Sequence, residues 1–504
     1  MIDSRLLKNI EKIGINIKIR EYLNEIDSLI LKTAKDRKDI FMDHYDVVTI
    51  GSGISNIMAV LNLVEKNPTL NILMIEKGNE LSNRRCPKDL IGHCVNCDNC
   101  YLFGWGGAGT FSDSKLTYSP DVGGTIIDYI GEDNFNSYIN QVDDIFTYFG
   151  GNTIVNYNED FANKVSYECS KFGLRLIKGK VRHLGTDGSQ KVMQNIYNHL
   201  KVFKNITMLC NTEVIDIDFK NKKVIFQNKQ IKPIVDTIVS ADNILIGVGR
   251  SGSDWLTDLC KKKNINLLNT FIDIGVRVEC PAAITDNITK ELYEFKIVNY
   301  SDTSNKVRTF CINPHGYVTQ ETYDDGIVCV NGHSYLDKHS ENTNFALLVS
   351  CKFTEPFNEP IKFGKTLCSY INMLTNGKVM VQRLVDLKNK KRSTKERMKR
   401  LSITPTLKDA EPGDLRYALP SNVLDSIIQT LDNISNVIPN LNGPNTILYA
   451  PEVKFYSSLI DVNNQLQVEE YPDIYWLGDS SGITHGIIQS SISGLYSSDL
   501  ILKK

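Results

Sequence analysis

Three groups of residues in this chain have types and spacings that could carry chemistry. The first is the pair Gly51 and Gly53, within Thr-Ile-Gly-Ser-Gly-Ile-Ser-Asn, with Glu76 25 positions beyond Gly51. Glycines so placed let a tight turn bring backbone N–H groups up to a pyrophosphate, and the acid accepts a ribose hydroxyl. The second is Cys86, Cys94, Cys97 and Cys100, spaced C-x7-C-x2-C-x2-C. Four thiolates suit zinc or an iron–sulfur cluster; redox-active thiols and unliganded thiols are the alternatives. The third is the stretch 104–116, Gly-Trp-Gly-Gly-Ala-Gly-Thr-Phe-Ser-Asp-Ser-Lys-Leu, with Gly104, Gly106, Gly107 and Gly109 at its start. So many glycines raise the entropic cost of ordering a loop. They make sense where backbone passes close to a bound cofactor, and a flexible surface loop is the alternative.

These groups need elements that hold them. Residues 46–50 are a short β-branched run, as expected of a buried parallel strand. A helix starts near Ile54 and offers its first N–H groups, Ser55 among them, to an anion. Residues 71–75 then make a second strand that ends at Glu76. Strand, glycine turn, helix, strand and acid in this order predict a Rossmann-type dinucleotide-binding unit. Asn56 stands where such a turn usually has Gly or Ala for close helix–strand packing.

The far end of the chain bears on which dinucleotide. Residues 474–479 read Ile-Tyr-Trp-Leu-Gly-Asp and lead through a glycine-containing turn into a last helix over 487–501. This strand–Gly-Asp–helix segment resembles the second anchor of the glutathione reductase type of FAD fold. The resemblance implies FAD, with Gly478 in the turn and Asp479 on the ribityl hydroxyls. It also implies that residues 483–486, ending at Gly486, face the flavin pyrimidine. A helix N-terminus there stabilises negative charge on reduced flavin. His485, at that helix end, becomes the candidate for proton exchange during hydride transfer, held neutral by the helix dipole. Lys115 and Ser112 are candidates to meet flavin or substrate. Arg308, with Arg277 and Lys454, is a candidate to grip an anionic substrate or the reduced flavin. His183, His315 and His333 also lie beside glycine or turn residues. No Ser/His/Asp arrangement or H-E-x-x-H helix points to hydrolysis.

At 504 residues the chain predicts two domains and a sizeable core. Hydrophobic content of 41% and charged content of 23% are ordinary for a soluble enzyme. A net charge of −2 gives no reason to expect a nucleic-acid partner. The basic run over 388–400 reads as a solvated face, with phosphate binding as the alternative. Residues 1–20 alternate charged and apolar types and lack the apolar core of a signal peptide. No stretch of 18 apolar residues occurs, so no membrane span is expected. Twelve cysteines without a secretory signal predict reduced thiols and a cytoplasmic protein.

Residues 1–40 show helical spacing and are read as an N-terminal extension. Residues 41–275 form the first part of the FAD-binding domain and 446–504 its C-terminal part. An inserted mixed α+β substrate domain occupies 276–445. The fold class is thus α/β, with the stretch 126–185 read as mostly helical. A second nominal G-x-G-x-x-G, at Gly247, Gly249 and Gly252, has no strand ending in an acid about 20 residues on. It is assigned to the return of the chain to the FAD domain, with Gly247 at the cofactor, and not to a separate NAD(P)H site.

Several motifs in order carry a more specific resemblance. The 104–116 loop, Asp273-Ile-Gly-Val-Arg-Val278, Arg308-Thr-Phe310, Val330-Asn-Gly-His-Ser334, Gln382-Arg383 with Asp386, Pro412-Gly-Asp414, Ala450-Pro-Glu-Val-Lys454 and the segment 478–486 are similar to the uncharacterised FAD-dependent dehydrogenase family of bacteria. The similarity covers about residues 41–504. Two positions depart from its pattern besides Asn56: Ser114 and His315 stand where Gly is usual. The resemblance implies an FAD-dependent oxidoreductase that moves hydride between flavin and a small organic substrate, or NAD(P)H or another electron partner arriving transiently. The alternative is a binding or modification module acting on RNA or another macromolecule, with FAD as a structural or carrier cofactor; the near-neutral charge weighs against it.

Overall fold

The computed structural model describes residues 42–504 apart from 86–100, 113, 152–156, 231–233, 269–270, 303–304, 323–325, 335–337, 355 and 358. The expected helical extension over 1–40 lies outside the described residues. So do Cys86, Cys94, Cys97 and Cys100 with the metal or cluster assigned to them.

Apolar runs make the centre of the first domain. Ile72–Ile75 is buried along its whole length, and His44–Ile50 is buried over its last four residues. Strands buried on both faces belong in a parallel sheet. Five strands run parallel in the spatial order Ile206–Leu209, Ile72–Ile75, His44–Ile50, Thr237–Ile246 and Ile474–Trp476. The first half of Thr237–Ile246 also pairs antiparallel with Lys223–Asn228, which pairs in turn with Thr212–Asp218. The strand that leads into Gly247 is therefore a direct neighbour of the strand that leads into Gly51. Helices Ile54–Lys66 and Ile487–Leu502 pack together against the sheet with the helices Glu132–Tyr148 and Gly185–Leu200. Gly494 sets how closely the first two approach: a Cβ there would lie 2.0 Å from the Ser55 carbonyl oxygen.

The second domain is built on an eight-stranded sheet. Its order is Glu411–Pro412, Met380–Arg383, Ile447–Lys454, Phe271–Pro281, Asn342–Lys352, Lys306–Asn313, Lys296–Tyr300 and Leu174–Ile177. The sheet thus starts at 271 rather than 276 and takes in 447–454, beyond the expected limit of 445. Its edge strand comes from 174–177, inside the stretch read as mostly helical. That strand is only four residues long, too short for alternation to separate it from helix, and its partner lies more than a hundred residues away. The next strand, Lys180–His183, pairs with Lys115–Tyr118 of the glycine loop.

Alternation splits the second sheet into two unlike faces. Ile272, Ile274, Val276 and Val278, with Phe345, Leu347 and Val349, pack under helices that include Pro360–Leu374 and Ser421–Ile434. Each such side chain contributes roughly 1.5–3 kcal/mol by leaving water. The opposite face carries Asp273, Arg277, Glu279, Arg308, Glu452 and Lys454. The hairpin Tyr317–Thr322 and Val328–His333 covers its far half, and the first domain meets its near half. The chain enters and leaves this domain side by side, through the antiparallel pair Leu267–Leu268 and Leu459–Ile460. No helix among the described residues is long and apolar enough to cross a membrane.

Candidate functional site

Four glycine turns converge at the C-terminal ends of the parallel strands. Gly51 has φ +88°, and a Cβ built there would lie 2.5 Å from the Gly247 carbonyl oxygen. Only glycine fits that turn. Gly53, two residues on, has φ −73° and open space: the nearest atom to a Cβ is the same oxygen, at 3.8 Å. Gly53 is also the N-cap of the helix Ile54–Lys66, which has no side-chain cap and no acid in its first turn. The glycine loop closes over this point. Gly106 N donates to the Ser52 carbonyl at 2.9 Å, and a Cβ on Gly107 would lie 3.0 Å from Gly53 Cα. Gly478, with φ +63°, and Gly247 both press on the Ser55 hydroxyl. Ser55 is therefore buried between two glycines, and its side chain is turned away from the space before the helix. The expectation for Ser55 concerns its backbone N–H in the first turn of the helix, which this side-chain packing leaves in place.

Glu76 sits at the end of its strand, as expected, and binds the cradle together. Its carboxylate accepts from Ser52 N and Oγ, Gly78 N and Gly104 N at 2.9–3.0 Å. Asn56 explains how the turn does without a third glycine. Its buried amide donates to the carbonyls of Ile50 and Gly51 at 2.9 and 2.8 Å, so hydrogen bonds replace close packing between strand and helix. The other two departures have a shared cause. Ser114 and His315 have φ +46° and +52°, a region glycine enters freely. Ser114 offsets the strain by bonding to the Gly109 carbonyl and Ser189. His315 does so through the Ser340 carbonyl and Asp286.

Gly486 is the N-cap of the last helix, again with no side-chain cap and no acid in its first turn. Gly109 lies beside it, a Cβ there meeting Ile487 at 3.5 Å. Asp479 accepts from Arg250 Nε at 3.0 Å, Ser490 Oγ at 3.0 Å and Thr484 Oγ1 at 3.3 Å. His485 projects toward the second domain. Its ring centroid is 4.3 Å from that of Tyr456, and Phe271 stands edge-on at 6.2 Å. Burial at this junction lowers the imidazole from 6.5 to about 4, with Arg250 and Arg308 adding to the shift and Asp479 and Asp273 opposing it. His485 is thus neutral near pH 7, mainly through burial rather than the helix dipole.

Arg308 completes this junction. It donates to Asp273 and, at 2.9 Å, to Tyr456 Oη, while Tyr456 also donates to Asp273. Ser350 Oγ donates to the other Asp273 oxygen at 2.6 Å. Burial would raise the Asp273 carboxyl, but Arg308 and these donors hold it below the usual range. His485 and Arg308 are therefore brought together. Lys115 is placed elsewhere: its Nζ donates to the Ile312 carbonyl at 2.8 Å and Asn313 Oδ1 at 3.0 Å, five residues along the strand from Arg308. The paired strand advances four residues between these positions, from Leu348 to Asn344, which spans about 13 Å.

Arg277 and Lys454 have a different task from the one expected. Arg277 and Glu452 are fully buried and 3.2 Å apart, and Lys454 lies 3.2 Å from Glu452. Arg277 also donates to the Cys311 carbonyl and Asn331. Glu452 and Glu321 raise the Lys454 ammonium against the lowering effect of burial. Two cations answered by two carboxylates make a neutral internal network, which ties the hairpin to the sheet and leaves no charge for an anion.

Two arginines were not singled out from the sequence. Arg84 donates to the carbonyls of Trp105 and Gly107 at 2.8 and 2.9 Å and to Tyr101, and so sets the path of the glycine loop. Nothing local marks it. Arg250 lies inside the second glycine motif, so its position was visible and its partner Asp479 was not. Among the described residues no group of three or more His, Cys, Asp or Glu could hold a metal ion.

An uncharacterized protein of Clostridium beijerinckii is 23% identical over 479 residues, covering 91% of this chain and 80% of that protein. Among solved structures, pyridoxine 4-oxidase from Mesorbium loti is similar with a TM-score of 0.44 and 9% identity, over 91% of this chain and 99% of that one. Glycine oxidase from Geobacillus kaustophilus has a TM-score of 0.38 and 10% identity, over 92% of this chain and 96% of that one. Residues 271–455, the span of the second sheet apart from its edge strand, match the family model described as FAD-dependent protein, C-terminal domain-like.

Proposed function

We propose that the chain is an FAD-dependent oxidoreductase of the glutathione reductase type of fold, acting on a small organic molecule. The observation that carries this reading is the convergence of the turns at Gly51, Gly106, Gly247 and Gly478 before an uncapped helix N-terminus, under a domain similar to that of FAD-dependent proteins. A cradle of backbone N–H groups and open space at Gly53 suits a pyrophosphate. When bound, FAD would supply a two-electron acceptor for a substrate hydride. Gly51, Gly53, Gly106, Gly107 and Glu76 would shape the phosphate and ribose end. Gly247, Gly478 and Asp479 would shape the ribityl end, and Gly109 and Gly486 the flavin end.

In this reading the chain's own residues do the rest. His485, neutral and without a hydrogen-bond partner on its ring among the described residues, takes or returns a proton at a ring nitrogen. The polar face of the second sheet excludes bulk water and presents Arg308. Electrons would be exchanged with a transient nicotinamide, NAD(P)H as donor or NAD(P)+ as acceptor, or with another carrier that visits from the substrate side. The described cysteines are all free thiols, which supports a reducing, cytoplasmic setting. The test is the absorption spectrum of purified protein, with FAD identified after release by denaturation. Colourless protein that binds no added FAD defeats the reading.

A further inference from the structure

Among the described residues, the near half of the charged face holds one cation with no carboxylate within 4 Å. Lys306 and Arg308 are alternate residues of the strand Lys306–Asn313 and so share its face. Arg175, two strands away in register with Val298 and Arg308, lies about 10 Å across the same face. Arg308 is engaged by Asp273, and Arg175 pairs with Asp121 at 3.1 Å. Lys306 has no carboxylate within 4 Å among the described residues, although Arg308 and Arg175 are its neighbours. Burial first, then those two arginines, lower its ammonium from the usual value, while Asp121 and Asp273 oppose the shift. Arg308 adds a donor: its Nε–H is buried and has no partner among the described residues.

Three cations and two carboxylates leave an excess of one positive charge. The excess sits beside an unfilled N–H donor, at the junction where Tyr456 links Arg308 to His485. A single anionic group removes both defects; a dianion would overfill the site. We infer that Lys306 and Arg308 form the seat of a monocarboxylate, held on the substrate side of the cleft with its remaining atoms toward His485. Arg308 supplies directed hydrogen bonds and Lys306 the uncompensated charge. Calling this anion a substrate rests on the oxidoreductase reading; its binding does not.

The experiment is calorimetric titration of the full-length protein as purified, with the FAD content of the same sample measured after denaturation. The probe is benzoate, with benzamide and inorganic phosphate as controls. Benzoate should bind at one site per chain, benzamide should not, and phosphate should compete more weakly than benzoate. Lys306→Met should weaken benzoate at least about tenfold, the loss of one charge-assisted contact. Lys306→Arg should recover most of that affinity, and both variants should keep the melting temperature and FAD content of the parent. Equal benzoate affinity in Lys306→Met overturns the inference. So does phosphate binding tighter than benzoate, or loss of FAD from Lys306→Met at an unchanged melting temperature, which would assign the cation to the cofactor. FAD-containing protein that ignores benzoate defeats the anion site alone. Protein that is FAD-free, takes up no added FAD and binds benzoate through Lys306 defeats the oxidoreductase reading and leaves the anion site standing.

Discussion

The turn at Gly51 and the face around Asp273 are both functional surfaces in this reading, and they are made of different material. The turn is backbone. Its parts are glycines that permit positive φ or close approach, at the ends of strands for Gly51, Gly247 and Gly478 and in the loop for Gly106, and its donors are N–H groups that every residue carries. The face is side chains. Asp273, Arg308, Ser350 and Tyr456 come from four places in the chain and meet only because strands align in register. A backbone site tolerates changes that respect the chain path and fails when space is filled. A side-chain site fails when one charge loses its partner.

Positions 51 and 53 break this comparison most sharply, because they sit two residues apart. Gly53→Glu should abolish FAD binding, since a carboxylate would occupy the space before the helix and repel a pyrophosphate. The fold should survive: φ at Gly53 suits any residue and the nearest atom is 3.8 Å from a Cβ. Gly51→Ala should instead cost about 2–4 kcal/mol of stability, from positive φ and a contact with backbone. Flavin content and melting temperature, measured on both variants, separate the two effects. Equal behaviour of the pair would mean that Gly53 also serves the chain path alone.

The buried pair Arg277 and Glu452 tests the side-chain half. Arg277→Met leaves Glu452 buried with only Lys454 beside it, and should cost about 3–5 kcal/mol. The melting temperature should fall by roughly 10 °C for a domain of this size. Replacing Glu452 by Met as well should recover part of the loss, because no buried carboxylate is then short of a partner and Lys454 keeps Glu321. A single variant within about 1 kcal/mol of the parent would show that this network carries little of the stability of the second sheet.

The same contrast decides what the sequence made legible. Strand, turn and helix around Gly51 follow one another within 30 residues, so spacing alone indicated them. The last strand and helix were read from Gly478 and Asp479 in the same way. The second sheet was less legible. Its long strand Phe271–Pro281 alternates apolar residues with Asp273, Arg277 and Glu279, yet nothing near them in sequence names their partners. Arg277 was therefore read as an anion grip, when Glu452, 175 positions later, had already neutralised it. Leu174–Ile177 lies unmarked inside the stretch 126–185 that reads as mostly helical, for a related reason: its strand character comes from pairing with 296–299, and not from its own four residues.

Asp479 stands between the two kinds of site, a side chain on a glycine turn. Asp479→Ala should weaken FAD binding about tenfold to a hundredfold, the worth of one charge-assisted hydrogen bond. It also frees Arg250, Thr484 and Ser490, so part of any loss comes from reordering of the last turn. Asp479→Asn keeps the shape and removes the charge. If the Asn variant holds FAD as tightly as the parent while Ala does not, the residue acts through geometry. If both match the parent, the C-terminal segment is not the second anchor.

The smallest effect is a pH dependence at His485, where helix end and side-chain face meet. Its imidazole titrates at about 4 in the folded chain against 6.5 ordinarily. Between those values the unfolded chain binds more protons than the folded one, so stability falls as pH drops through that window. The full shift corresponds to about 3 kcal/mol, and partial exposure of the ring reduces this to roughly 1–2. His485→Gln removes the titration and keeps a polar side chain. Unfolding free energies from urea titrations at pH 7.5 and pH 5 should therefore differ less in the variant than in the parent, by about that amount. Burial would raise the Asp273 carboxyl, but Arg308, Ser350 and Tyr456 hold it below the usual carboxylate range, so it remains charged at both pH values and does not imitate the effect. An identical acid sensitivity in parent and variant would place the imidazole in water rather than against Tyr456, and His485 would then be protonated below 6.5 like any surface histidine.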